Sequence, residues 1–294
     1  CESVGVLLDS KITFDAIDRL NESYLLENEN AERAKLALLA EYRSQPFRPP
    51  ALAGTSYPSE PAELTRHLQS YASGSSATTW QGRGIISPHI DYGRGGNVYS
   101  QVWRSGEAAI LNADIVLIFG TDHYGGFNSI TLTKQAYATP YGVLPAEVTL
   151  VDKLAAALGT EAAYAEELNH RHEHSVELSA VWLHHIFHQA GKEPCPVVPI
   201  LVGSFQQFLV NGVKPATDDR LTTFIDVLQK ETAGRRVLTV ASVDLAHVGP
   251  NFGDQFVMDE ARRADLAELD QNLMNSAIRG DAESWFSQIE AVGD

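Results

Sequence analysis

Apolar residues follow two rhythms along this chain: short unbroken runs, and longer stretches in which they recur every three or four positions. The unbroken runs predict buried strands over residues 84–86, 114–119, 129–133, 196–202 and 236–241. The helical rhythm predicts helices near residues 98–104, 149–158, 175–189, 221–230 and 259–278. Strands alternating with helices at this spacing point to an α/β fold, with a largely parallel sheet covered on both faces. No internal repeat recurs at a fixed period.

The first 45 residues have a different texture. Residues 28–44 read as a helix with Asn30 as its N-cap and Leu36, Leu39 and Ala40 on one face. Pro46, Pro49 and Pro50 forbid its continuation, so residues 45–50 read as a linker. The organisation expected is a helical extension over 1–45 and an α/β domain over 46–294, with a second loop at 74–79.

Charge narrows the function classes. Acidic residues number 38 against 22 basic, a formal charge of −16, and no basic stripe offsets it, which disfavours nucleic acid as a partner. The cysteines are Cys1 and Cys195 alone, which excludes a disulfide framework and makes a reducing compartment the default. The best apolar run, Ile115 to Phe119, falls far short of the roughly 20 residues that cross a bilayer. Asp9, Lys11 and Asp15 interrupt any leader-like apolar segment. The expectation is a soluble cytoplasmic protein without a membrane partner. The opening Cys1, where Met would stand, suggests a fragment or a processed product.

Candidate chemistry gathers where strands end. His89, His123 and His247 each follow a predicted strand within a few residues, and ligands of open α/β sheets bind beyond the carboxyl ends of strands. In Ser87-Pro88-His89-Ile90-Asp91-Tyr92, the imidazole could ligate iron, copper or zinc, with Asp91 as ligand or orienting partner. The plainer reading is a turn with a solvated histidine. Phe119 to Gly126 places His123 in a glycine-rich turn open to close approach by a ligand, or serves only to reverse the chain. Asp244 and His247 stand three apart, a spacing that suits a metal pair or a carboxylate-oriented general base. Equally, Asp244 could cap a following helix.

The run His170 to Glu177 holds three alternating histidines, but on a helix His172 would point away from His170 and His174. His174 and Glu177 are kept as supporting residues, with Ser175 as N-cap of a helix whose buried stripe is Val176, Ala180, Leu183 and Phe187. His184, His185 and His188 read as its partly solvated face. Cys195 precedes a strand and reads as structural. No G-x-S-x-G elbow is present, and Gly93-Arg94-Gly95-Gly96 matches no nucleotide-binding fingerprint, leaving Arg94 a weak phosphate signal.

Several ordered motifs together resemble the Memo family, and more closely its bacterial members called AmmeMemoRadiSam system protein B. They are RPPALAGTSYP at 48–58, SPHIDYGRGG at 87–96, GTDHYGG at 120–126, ATPYG at 138–142, EHSVE at 173–177, PILVG at 199–203 and DLAHVGPNFGD at 244–254. The resemblance runs from about Phe47 to the end of the chain. It implies a three-layer sandwich with a mostly parallel or mixed central sheet, similar to class III extradiol dioxygenases, behind a short helical extension. Those enzymes hold Fe(II) with two histidines and a carboxylate. In the Memo family the third ligand is a cysteine of a C-terminal Cys-Gly motif.

Carried over by motif, His89 and His123 become ligands of an iron or copper ion, and Asp244, His247 and His174 become pocket residues with catalytic roles. The residues from Gly280 to Asp294 look like the segment that precedes the expected cysteine, which would then lie beyond Asp294. Ile90-Asp91 stands where animal members carry Ala-Gly. The resemblance implies three functions: a metal-dependent redox or oxygenase-type enzyme, a binding module for a peptide or small anion, or an accessory to radical-SAM and AMMECR-type partners. The chain has no three-cysteine cluster motif, so it is not itself the radical-SAM component.

Overall fold

Ile115, Val116, Leu117 and Ile118 are buried one after another and form the middle of the central sheet. A computed structural model describes residues 10–72, 80, 82–126 and 130–292. Cys1, the 74–79 loop, Ser129, Gly293 and Asp294 lie outside the described residues. The strands are β1 (Gly84–Ser87), β2 (Ile115–Thr121), β3 (Ile130–Leu132), β4 (Tyr137–Thr139), β5 (Gly142–Leu144), β6 (Val197–Val202) and β7 (Val237–Ser242). The helices are α1 (Ser10–Glu22), α2 (Glu29–Ser44), α3 (Pro61–Ser70), α4 (Tyr92–Ser105), α5 (Glu107–Leu111), α6 (Val148–Leu158), α7 (Thr160–Tyr164), α8 (His174–Gln189), α9 (Gln206–Asn211), α10 (Asp219–Glu231), α11 (Glu260–Arg279) and α12 (Ala282–Val292).

In the main sheet β1, β7, β2 and β6 lie parallel in that order, and β3 closes the edge antiparallel to β6. Successive strand residues point to opposite faces, so a strand covered on both sides needs apolar residues throughout. Val116 and Ile118 face one core, with Val176, Trp182 and Leu183 of α8. Ile115 and Leu117 face the other, with Leu150 and Leu154 of α6 and Phe224 of α10. Helices cover both faces, and the protein is a three-layer α/β sandwich with a mostly parallel, mixed sheet.

α8 is the spine of one helical layer, buried from Ser175 to Phe187. The expected stripe of Val176, Ala180, Leu183 and Phe187 is buried, but so is the opposite side. His184 and His185 do not lie on a solvated face: they are 6% and 5% exposed. The β4–β5 hairpin covers them, with Thr139 Oγ1 2.8 Å from His184 Nδ1 and the Tyr141 hydroxyl 2.9 Å from His185 Nδ1. His188 alone of the three reaches the surface, stacked on Tyr141.

Caps differ from the sequence reading by a residue or two. Asn28, not Asn30, caps α2, accepting from the amides of Asn30 and Ala31. Glu173, not Ser175, caps α8. Asp91 caps α4, which begins six residues before the expected start, and its carboxylate is held by Arg94 rather than turned to a ligand. Leu36 and Ala40 of α2 are exposed, and the helix meets the sandwich through Tyr42 and an Arg43–Glu167 ion pair. The stretch read as a linker is anchored: Arg48 is fully buried and exchanges backbone hydrogen bonds with Ala136 and Ala138. Among the described residues no helix is long and apolar enough to cross a membrane.

Candidate metal centre

The register of the parallel strands aligns their ends. Ser87 of β1 pairs with Ser242 of β7, which pairs with Gly120 of β2. The residues just beyond this row are His89, Asp244 and His123, so the crevice at the carboxyl ends collects them from three strands. Gly120 has a specific reason to lack a side chain. A Cβ there would stand 2.5 Å from Ser175 Oγ and 2.7 Å from Val176 Cγ2, so glycine lets the start of α8 sit directly on the end of β2. Ser175 Oγ then donates to the Thr121 carbonyl at 2.8 Å.

His89 is buried, and its backbone amide donates to Asp244 Oδ1 at 3.0 Å. Its Nδ1–H donates to the Ser242 carbonyl at 3.1 Å, which leaves the Nε2 lone pair to face the crevice. The β2 end supplies His123, whose Nδ1 lies 3.0 Å from both carboxylate oxygens of Glu173. His174 opens α8, and its Nδ1 lies 3.1 Å from Glu173 Oε1. The rings of His123 and His174 stack at 4.6 Å, and both stand edge-on to His89 at 5.1 and 5.4 Å. One ligand nitrogen from each of the three lies within 4.8 Å of the others, a group that could hold a metal ion.

Glu173 organises this corner. As N-cap it accepts from the amides of His174 and Ser175, and it also accepts from the amide of His123. Burial opposes its charge, but the hydrogen bonds from His123, His174 and these amides hold its carboxyl below the usual carboxylate range. The same contact raises the pKa of His123. Burial dominates at His89 and lowers its pKa despite Asp244, favouring the neutral ring that a metal requires.

Asp244 caps no helix, because residues 243–248 are irregular. Its Oδ2 lies 3.5 Å from His89 Nε2 and 3.4 Å from His247 Nε2, and the His247 side chain is half-exposed. The two are therefore close without the helical turn that their spacing suggested. A cavity of about 1060 Å³ spreads over the group, lined by apolar residues such as Leu52, Ile90, Val102, Leu178 and Met274. Among the described residues that line it, Arg94 is the only Lys or Arg, and Asp91 holds it at 2.5 Å.

Other candidates fall elsewhere. Glu177 is fully buried and pairs with Arg48 and Tyr57, not with the histidine group. His170 is buried between the Tyr137 hydroxyl and the Thr131 carbonyl, while His172 is exposed at the cavity rim. Cys195 is half-buried ahead of β6, and burial pushes its thiol up to about 11, an unreactive state. Sequence reasoning missed Glu173, although a carboxylate directly before a helix start was a visible capping signal.

A family model described as Memo-like protein matches residues 48–292. A MEMO1 family protein of Thermus thermophilus is 29% identical over 271 residues, covering 91% of this chain and 76% of its own length. One from Methanosarcina barkeri is 27% identical over 246 residues, 84% of this chain and 82% of its own. A third, from Aquifex aeolicus, is 25% identical over 268 residues, and the match spans 89% of this chain but only 65% of that relative. The matched region takes in every strand described above and the whole histidine group, and the chain belongs to the Memo family.

Proposed function

We propose that this chain is a metal-binding protein in which His89, His123 and His174 hold one iron or copper ion, with a redox or oxygenase-type activity. One observation carries the reading. Each of the three rings has its Nδ1 engaged by a fixed acceptor, and a ligand nitrogen from each lies within 4.8 Å of the others. Metal-binding histidines are held in this way, with the second ring nitrogen tied to a carboxylate or a carbonyl. His174 adds a third nitrogen donor from within the described chain, beside the two strand-end histidines.

Imidazole suits iron and copper, and such an ion, held by His89, His123 and His174, would supply one-electron redox chemistry. The chain supplies the rest. Glu173 and the Ser242 carbonyl set the tautomers and ring directions, and the apolar walls limit water. Asp244 sits between His89 and the half-exposed His247, placed to hold a proton and pass it toward solvent. The anion-binding alternative has less support, because Arg94 is neutralised by Asp91.

The test is elemental analysis of anaerobically purified protein beside His123→Ala and His174→Ala. The expected result is iron or copper near one per chain, lost in both variants. Absence of metal from the unaltered protein after reconstitution with Fe(II) and with copper would overturn the reading.

A further inference from the structure

Arg48, Glu173 and Glu177 are fully buried, and their bonds connect the start of the matched region to the histidine group. The Arg48 guanidinium donates through Nε to the His170 carbonyl at 2.8 Å, through Nη2 to the Glu173 carbonyl at 3.1 Å, and through Nη1 to Glu177. The two carbonyls bracket the turn that leads from a short 3-10 helix, Glu167–Arg171, into α8. A rigid planar fork can hold both while keeping an ion pair, which a point charge on a flexible stem cannot. Within the turn His170 and Glu173 are buried while Arg171 and His172 lie toward solvent, so its backbone is held from the inside, by Arg48 and by the Glu173 amide on the Asn169 carbonyl. Glu173 is thus gripped at its carbonyl by Arg48, while its carboxylate grips two imidazoles.

We propose that Arg48 is a positioning residue of the histidine group: by fixing the backbone of residue 173 it sets where the Glu173 carboxylate stands, and so how the His123 and His174 rings point. This deepens the metal-centre reading and rests on it for the metal arm of the test. Glu177 and Tyr57 serve another end. Glu177 also accepts from the amides of Ala51 and Leu52 and from the Tyr57 hydroxyl, fastening residues 48–57 onto α8.

The experiment separates the two roles. Arg48→Lys keeps a charge beside Glu177 but cannot bind both carbonyls, whereas Tyr57→Phe loosens Glu177 and leaves both carbonyls alone. Nitrogen-15 NMR of the imidazoles in metal-free protein reports whether His123 and His174 keep a fixed Nδ1–H. Cobalt(II), followed by its visible absorption, reports metal affinity. Arg48→Lys is expected to average the tautomer signals and weaken Co(II) binding by about 10-fold or more, with Tyr57→Phe altering neither. Wild-type readouts in Arg48→Lys overturn the proposal, as does an equal loss in Tyr57→Phe. Unaltered protein that binds no Co(II) defeats the metal-centre reading, and the tautomer arm then decides the role of Arg48. If Arg48→Lys does not fold, the coupling across the hydrogen bond from Arg48 Nη2 to the Glu173 carbonyl in unaltered protein decides: its detection supports the grip and its absence overturns it.

Discussion

His123 and His174 stack face to face, 4.6 Å apart, because Glu173 binds Nδ1 of both. One rings a strand end, the other starts a helix, and a single carboxylate makes them parallel. Glu173→Gln keeps the shape but loses the charge and cannot accept two ring N–H donors equally well. It is expected to weaken metal binding by about 10–100-fold, with the circular dichroism of the fold retained. A metal titration showing unaltered affinity would contradict this role.

Gly120→Ala tests the contact between β2 and α8. The added methyl would meet Ser175 Oγ at 2.5 Å and Val176 at 2.7 Å, so the start of α8 must move. Overpacking of this kind costs about 1–3 kcal/mol. The urea midpoint is expected to fall and metal affinity with it, since His174 moves with the helix. A wild-type midpoint would show that the helix start is not held against the strand.

Acid should destabilise the fold through histidines outside the crevice. Burial pushes the pKa of His170 down to about 3, and those of His184 and His185 down to about 4, from an unfolded value near 6.5. Between those values the unfolded chain binds protons that the folded chain refuses, so stability rises with pH. The contribution is complete above about 6.5 and is lost as pH falls toward these folded values. Denaturation midpoints measured from neutral to acid pH should decline over this window. A flat profile would mean that these rings are protonated in the fold.

The buried Arg48–Glu177 pair gives a fourth test, of stability alone. Glu177→Gln strands a guanidinium without its counter-charge, which costs about 3–5 kcal/mol. Replacing both partners by apolar residues, Arg48→Met with Glu177→Leu, removes the stranded charge but leaves the His170 and Glu173 carbonyls and the Ala51, Leu52 and Tyr57 donors without partners, so it is expected to be at least as unstable as Glu177→Gln. A double variant clearly more stable than Glu177→Gln in urea titrations would show that the stranded charge outweighs the lost hydrogen bonds.

Much of the architecture was legible in the chain. A strand buried on both faces must be apolar at every position, so 114–119 read as a buried strand, while its central place in the sheet came from the strand order. Strand ends follow directly from such runs, which set His89 and His123 just beyond strand ends, where ligands of open α/β sheets bind. His184 and His185 were misjudged because their cover comes from β4–β5, a hairpin about 45 residues earlier in the chain. A helix pattern records which face is apolar, not which neighbour arrives to bury a polar one.

Local pattern was sufficient for the α/β class, for helices α2, α4, α6, α8, α10 and α11 and for the strand-end histidines, because each of those depends on a residue's own burial and its near neighbours. Partnership was decided elsewhere. Glu173 was passed over for Ser175 as the cap of α8, and its hold on His123, 50 residues away, exists only because β2 ends against the start of α8. Arg48 lay in a proline-rich stretch that read as a linker, yet its fork reaches carbonyls over 120 residues on. Such contacts are set by how whole elements pack, and packing distance leaves no periodic trace in the order of residues.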